Sequence, residues 1–155
     1  MAYKRILVPV DGSPTSNRGM MEAVAIAREH RGARLLLVHV VEEFAALSTP
    51  EIGVDIGPVL EAMRAGGRKT LRSVEQRARK AGGRVETLLA ENFGARVADT
   101  IVKQARRWRA DLIVMGTHGR RGVQRALLGS DAELVARYSA VPVLLVPARG
   151  RGGAR

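Results

Sequence analysis

Cysteine is missing altogether from the 155 residues, which excludes disulfides and thiolate metal sites. Aromatic residues are almost as scarce, at 3% against 46% hydrophobic residues overall, so any core has to be aliphatic. Histidine is limited to His30, His39 and His118, too far apart in sequence for metal-ligand spacing. No stretch approaches the ~18 apolar residues of a membrane helix. The apolar run at residues 6–10 is cut short by Asp11 and no cleavage-site pattern follows, so no signal peptide is expected. The expectation is a soluble cytoplasmic protein with no membrane partner. Acidic charge is the last shortage, 15 residues against 26 basic ones, for a formal net charge of +11. Such an excess favours anionic partners: nucleotides, nucleic acid or acidic membrane surfaces. A general arginine richness accounts for it equally well.

What the chain does have is an alternation of strand and helix signals. Arg5-Ile6-Leu7-Val8-Pro9-Val10 is a short apolar run that ends in Asp-Gly-Ser-Pro, a turn and helix-start signal. Apolar residues at Met20, Val24 and Ala27 then recur at helical spacing, and Gly32 closes that segment. Residues 34–41 form a nearly continuous aliphatic run, as in a strand buried on both faces of a parallel sheet. Residues 42–58 lack periodicity and read as a long mobile loop. Leu60, Met63, Gly67, Leu71, Val74, Ala78 and Ala81 predict a long amphipathic helix whose other faces carry Arg64, Arg68, Lys69 and Arg72 among other cations. Residues 84–91 predict a third strand and 96–108 a third helix; 111–115 and 141–146 predict two more strands, with a short helix over 130–138 between them. Residues 1–147 thus read as one α/β domain with a parallel sheet, and 148–155 as a disordered basic Gly/Arg tail. Ligands of such sheets sit beyond the strand carboxyl ends, which directs attention to Asp11 and Gly116.

The segment from Gly116 to Ser130 leaves a strand and enters a helix, with glycines at 116, 119, 122 and 129. Glycine tolerates positive φ and lets a backbone approach a ligand closely. Ser130 followed by Glu133 reads as a capping box with Ser130 as the helix N-cap, and the first-turn N–H groups then offer an anion site. The alternative is a flexible glycine-rich loop before an ordinary capped helix. The segment is not a Walker A loop, since no Gly-Lys-Ser/Thr follows. A carboxylate after a strand can accept from ribose hydroxyls or an adenine amine, so Asp11 suits a nucleotide; capping the first helix is its other possible role. Asp131 places a carboxylate in the first helical turn, where it repels a phosphate unless it turns away or binds a metal ion. Arg120, Arg121 and Arg125 can close over phosphates or simply form a solvated loop. His118 reads as a packing or surface residue.

The spacing Gly-x2-Gly-x9-Gly-Ser, as Gly116, Gly119 and Gly129-Ser130, resembles the ATP-binding motif of the universal stress protein family. So do Ile-Leu-Val-Pro-Val-Asp-Gly-Ser, Leu-Val-His-Val, Asp-Leu-Ile-Val-Met-Gly-Thr-His-Gly and Val-Pro-Val-Leu-Leu-Val, and the likeness runs over residues 2–147. It implies a Rossmann-like, adenine nucleotide alpha hydrolase-like fold: a five-stranded parallel sheet in the order 3-2-1-4-5 with helices on both faces. It further implies ATP as ligand, with Mg2+, and a homodimer formed through the strand of residues 141–146. By the same resemblance Pro9, Val10 and Asp11 line the adenine and ribose end, and Val40 packs near the adenine. Met115 and Gly116 then line the ribose side, while Gly119, Gly129 and Ser130 take the phosphates; Arg120 and Asp131 are counted with the binding residues by their position in the same segment. The implied function is a nucleotide-responsive regulatory dimer in the stress response. Three alternatives stand beside it: a weak ATPase or phosphotransferase, a nucleotide-free dimeric scaffold, and an electrostatic nucleic-acid binder. No catalytic base or water-positioning residue is apparent for the first of them.

Overall fold

The computed structural model describes residues 2–42, 55–92, 94–118 and 128–148. Among the described residues nine elements alternate. They are β1 (Arg5–Pro9), α1 (Pro14–Glu29), β2 (Arg34–Glu42), α2 (Gly57–Lys80), β3 (Val85–Asn92), α3 (Val97–Trp108), β4 (Leu112–Gly116), α4 (Ser130–Tyr138) and β5 (Val143–Val146). The strands form one five-stranded sheet in the order β3-β2-β1-β4-β5, with every pairing parallel. This is the Rossmann-like arrangement expected from the sequence. Most of the long loop expected over residues 42–58, the glycine-loop positions 119–127 and the tail from 149 lie outside the described residues.

Strand alternation sorts the aliphatic side chains into two cores. Ile6, Val8, Leu35, Leu37, Leu112 and Val114 point to one face, where α1 adds Met20, Ala23 and Val24 and α2 adds Leu71, Val74 and Ala78. Leu7, Leu36, Val38, Ile113 and Met115 point to the other, against Ala98, Ile101 and Val102 of α3 and Val135 of α4. Most of these side chains are almost wholly removed from water, which contributes about 1.5–3 kcal/mol for each Leu, Ile, Met or Val. The period of two in the strands is therefore what lets one sheet carry helices on both faces.

Local chemistry sets the element ends. Ser13 caps α1: its Oγ accepts from the Ser16 N–H at 3.1 Å, and Pro14 fits the first helical position. β5 begins at Val143, later than the apolar run at residue 141 suggests. Pro142 has no N–H for a ladder, and the Ser139 hydroxyl ties up both Val141 backbone groups, donating to its carbonyl at 2.8 Å and accepting from its N–H at 3.1 Å.

Pairing is uneven across the sheet. β2 and β3 are in register from Leu35–Val85 to Glu42–Asn92. The register of β1 and β4 is short, Ile6–Leu112 and Leu7–Ile113. Beyond Leu7 the two strands part, and the Val10 N–H bonds to the Val38 carbonyl on the β2 side, at 2.8 Å. The strand order reverses at this point, so a crevice opens at the carboxyl ends of β1 and β4.

Candidate functional site

The crevice widens into a cavity of about 1060 Å³, at the upper end of the ~300–1,000 Å³ usual for small-molecule sites. Nine of the residues singled out in the sequence line it: Pro9, Val10, Asp11, Val40, Met115, Gly116, Gly129, Ser130 and Asp131. Gly119 and Arg120 lie outside the described residues, as do Arg121 and Arg125. Val10, Met115 and Gly116 are buried, Asp11, Val40 and Asp131 are half-buried, and Ser130 is exposed.

Asp11 does not cap α1, since Ser13 holds that position. It accepts instead from the Ser13 N–H, at 2.9 Å through Oδ1, and its own N–H reaches Ser16 Oγ at 3.4 Å. The carboxylate is thus held in an Asx-type turn directly after β1. In the strand order it stands between the end of β2, with Val40, and the end of β4, with Gly116.

Two expectations about the glycine segment are corrected. Ser130 is the first residue of α4 and Gly129 is the N-cap, with no side-chain hydrogen bond to the first turn. The reason is a backbone clasp: the Gly129 N–H donates to the Thr117 carbonyl at 2.8 Å, which fixes the entry into α4 without a hydroxyl. Nor do Gly116 and Gly129 adopt positive φ. Each is needed for close approach. A Cβ on Gly129 would lie 2.9 Å from Thr117 O, and one on Gly116 would lie 2.9 Å from both the C and O atoms of Thr15 at the start of α1. These glycines shape the site by packing protein against protein.

Sequence reasoning missed one wall. Met63, Gly66, Gly67 and Thr70 of α2 line the cavity, with Lys69 beside them. Their spacing of three and four was the available signal, but it overlaps the core stripe and was absorbed by it. Lys69, assigned from sequence to the outer basic faces, is a cation on a wall that also carries Asp11, Glu42 and Asp131. All three carboxylates are engaged in interactions of their own. His39 also lines the cavity, its Nδ1 2.7 Å from the Val10 carbonyl oxygen. That carbonyl can only accept, so Nδ1 is the donor of this bond. His118 Nε2 is buried on the same wall without a partner among the described residues.

The arrangement can hold a flat apolar group against Val10, Val40 and Met115 and offer it polar contacts at Asp11. The first-turn N–H groups of α4, which have no acceptors within the helix, offer a place for an anion. No group of three metal-ligating side chains occurs among the described residues.

The profile of the universal stress protein family matches residues 2–147. A universal stress protein of Methanocaldococcus jannaschii is 35% identical over 144 residues, covering 93% of this chain and 82% of that protein. Among solved structures, the universal stress protein UspA from Lactobacillus plantarum superposes with a TM-score of 0.80 at 28% identity, over 94% of this chain and 99% of that one. A universal stress protein from Archaeoglobus fulgidus, solved in complex with dAMP, has a TM-score of 0.65 at 28% identity, over 94% and 99% of the two chains. A further universal stress protein, solved in complex with cAMP, has a TM-score of 0.67 at 28% identity, over 95% and 98%.

Proposed function

The chain belongs to the universal stress protein family, and we propose that it is a nucleotide-responsive regulator that binds ATP, with Mg2+, in the cavity at the carboxyl ends of β1 and β4. The observation that carries this reading is the convergence on one cavity of Asp11, the apolar trio Val10, Val40 and Met115, and the start of α4. The base packs on the trio, Asp11 accepts from ribose hydroxyls or the adenine amine, and the N–H groups near Gly129 and Ser130 take the phosphates. Adenine nucleotides in the dAMP and cAMP complexes of two relatives support the choice of base.

The donor set suits magnesium brought by the nucleotide. Mg2+ keeps several waters and binds through one or two carboxylates plus phosphate oxygens, and Asp11 and Asp131 are carboxylates on this wall that can serve. The ion would offset phosphate charge beside Asp131. The cytoplasm, where ATP is abundant, is the compartment that fits this reading. In it the protein acts as a homodimer paired through β5, and occupancy of the cavity is the signal.

A second reading, adenosine monophosphates as the natural ligand, is favoured by the same two complexes and by Asp131, which opposes a long phosphate chain. One experiment separates the two. The purified protein is extracted and any released nucleotide identified, and calorimetry then compares Mg-ATP, AMP and cAMP on the wild type and on Asp11→Asn. The variant keeps an Oδ1 acceptor for Ser13 but loses the charge and one acceptor oxygen. A loss of tenfold or more in Mg-ATP affinity is expected, in line with about 1.5–3 kcal/mol for a hydrogen bond to a charged group. Equal affinity in both proteins would remove Asp11 as the anchor, and tighter binding of AMP or cAMP would select the second reading.

A further inference from the structure

The sheet has a second pole, opposite the cavity, and its charge is one-sided. Strand starts and helix ends meet there, as parallel connections require. Backbone bonds tie this pole together: the Arg34 N–H to the Lys4 carbonyl at 2.9 Å, the Leu35 N–H to that of Arg84 at 2.8 Å, and the Asp111 N–H to that of Arg5 at 2.9 Å.

Cations gather on every element that reaches it. The last turns of α1 and α2 bring Arg28, Arg77, Arg79 and Lys80. Those of α3 and α4 bring Arg106, Arg107 and Arg137. Strand starts and connections add Lys4, Arg31, Arg34, Arg84 and Arg109, all exposed like the helix-end cations, and the half-buried Arg5. Carboxylates are few and mostly occupied. Glu75 pairs with Arg79 at 2.8 Å and Glu86 with Arg34 at 3.3 Å. Asp111 accepts from the Lys4 and Arg5 N–H groups at 2.8 and 3.1 Å. Glu29 is the remaining acid in this region among the described residues.

Part of the positive charge answers the helix dipoles, whose C-terminal ends each carry about −0.5 elementary charge. Four such ends amount to about two charges, well short of the cations named. An excess remains, presented to solvent.

We propose that this basic pole binds the phosphate backbone of duplex nucleic acid without reading its sequence. Most of the cations are arginines, whose planar fork bonds phosphate oxygens in pairs. Five strands spaced at about 4.8 Å make the pole about 19 Å wide, and a duplex presents about one phosphate per 1.7 Å of axis, so about eleven phosphates come within its span. Single strands are bound by stacking bases on aromatic platforms, and none is built among the described residues. The Trp108 Nε1 donates to Glu86 at 3.4 Å and Tyr3 meets His30 edge-on, which leaves Tyr138 as the one other tyrosine or tryptophan ring among the described residues, and it is exposed. A membrane surface calls for apolar residues beside the cations, yet the other large exposed hydrophobics among the described residues, Met21, Val59, Leu128 and Leu144, are away from this pole.

The test is fluorescence anisotropy with a labelled random-sequence 20-base-pair duplex between 50 and 300 mM NaCl, beside sedimentation with phosphatidylserine vesicles. For five or so phosphates engaged, the slope of log affinity against log salt is expected near −4.5. The triple variant Arg31→Glu/Arg84→Glu/Arg107→Glu is expected to weaken duplex binding at least tenfold and to flatten the slope by about 2–3. Arg72→Glu/Arg96→Glu/Lys103→Glu carries the same change of net charge away from the pole and is expected to weaken it less than threefold. Circular dichroism checks the fold of both. If the first triple melts early, Arg31→Gln/Arg84→Gln, outside the helices, takes its place with an expected threefold to tenfold loss. No binding by the wild type at 50 mM salt, equal weakening by the two triples, or tighter binding to the vesicles each overturns the proposal. Asp11→Asn should leave duplex binding unchanged, which separates this outcome from that of the nucleotide test.

Discussion

Replacing Gly116 by alanine tests whether the glycine at the end of β4 serves the protein's own packing. Its φ is not positive, so alanine can adopt the backbone, and restricting the unfolded chain would by itself stabilise the fold by about 0.4–1 kcal/mol. Against that, the new methyl would stand 2.8 Å from Thr15 Cγ2 and 2.9 Å from the Thr15 C and O atoms. The methyl group can turn aside, but the backbone of the first turn of α1 cannot move without displacing Met20 and Val24 from the core. Overpacking of this kind costs about 1–3 kcal/mol, so a net loss of about 1–2 kcal/mol is expected. For a chain of this size each kcal/mol lowers Tm by about 2–4 °C, which puts Gly116→Ala about 2–8 °C below the wild type. The control is Gly66→Ala on α2, where a Cβ meets nothing within 4 Å; it should raise stability by about 0.5–1 kcal/mol through helix propensity alone. Thermal unfolding followed by circular dichroism, without nucleotide, measures both. A Tm for Gly116→Ala at or above that of the wild type would refute the packing argument. If that variant also lost nucleotide binding, the glycine would be there for the ligand instead.

Two further outcomes follow from the same geometry. Ser13→Ala removes the α1 cap and should cost about 1 kcal/mol, a Tm shift of about 2–4 °C; an unchanged Tm would mean that the turn held by Asp11 suffices alone. Leu144, 37% exposed on the edge strand β5, should become a block to edge pairing as lysine. Light scattering at micromolar concentration is expected to give a dimer for the wild type and a monomer for Leu144→Lys, and a monomeric wild type would sink the pairing.

The fold was legible because the core is aliphatic and the strands alternate strictly. The run Arg34 to Val41 reads as a two-sided strand, and it divides its side chains between the two cores as a buried parallel strand must. Element ends were harder, since they depend on local bonds that no periodicity announces. The Ser139 hydroxyl delays β5 to Val143, and the clasp from Gly129 to Thr117 makes Gly129 the N-cap where the Ser130–Glu133 pattern pointed elsewhere. For the site, strand-end logic found Asp11 and Gly116, because β1 and β4 are neighbours whose connections leave in opposite directions. The α2 wall escaped it. Met63 and Thr70 reach the cavity only through the way α2 crosses the sheet, a tertiary fact that a stripe of apolar residues does not encode.

The short ladder between β1 and β4 makes the sheet two planks joined by a seam. β3, β2 and β1 share long registers on one side, and β4 and β5 are tied from Ile113–Val143 to Gly116–Val146 on the other. The paired residues that bridge them are Ile6–Leu112 and Leu7–Ile113, with the Asp111 bonds to Lys4 and Arg5 behind. Beyond that bridge α1 lies across the join, with Thr15 against Gly116 and the Arg18 guanidinium on the Pro147 carbonyl. α1 is therefore a strap over the seam, and the far rim of the smaller plank is β5. Both cores also cross the join, Ile6 and Val8 with Leu112 and Val114 on one face and Leu7 with Ile113 on the other, so the two planks are held as one packed body.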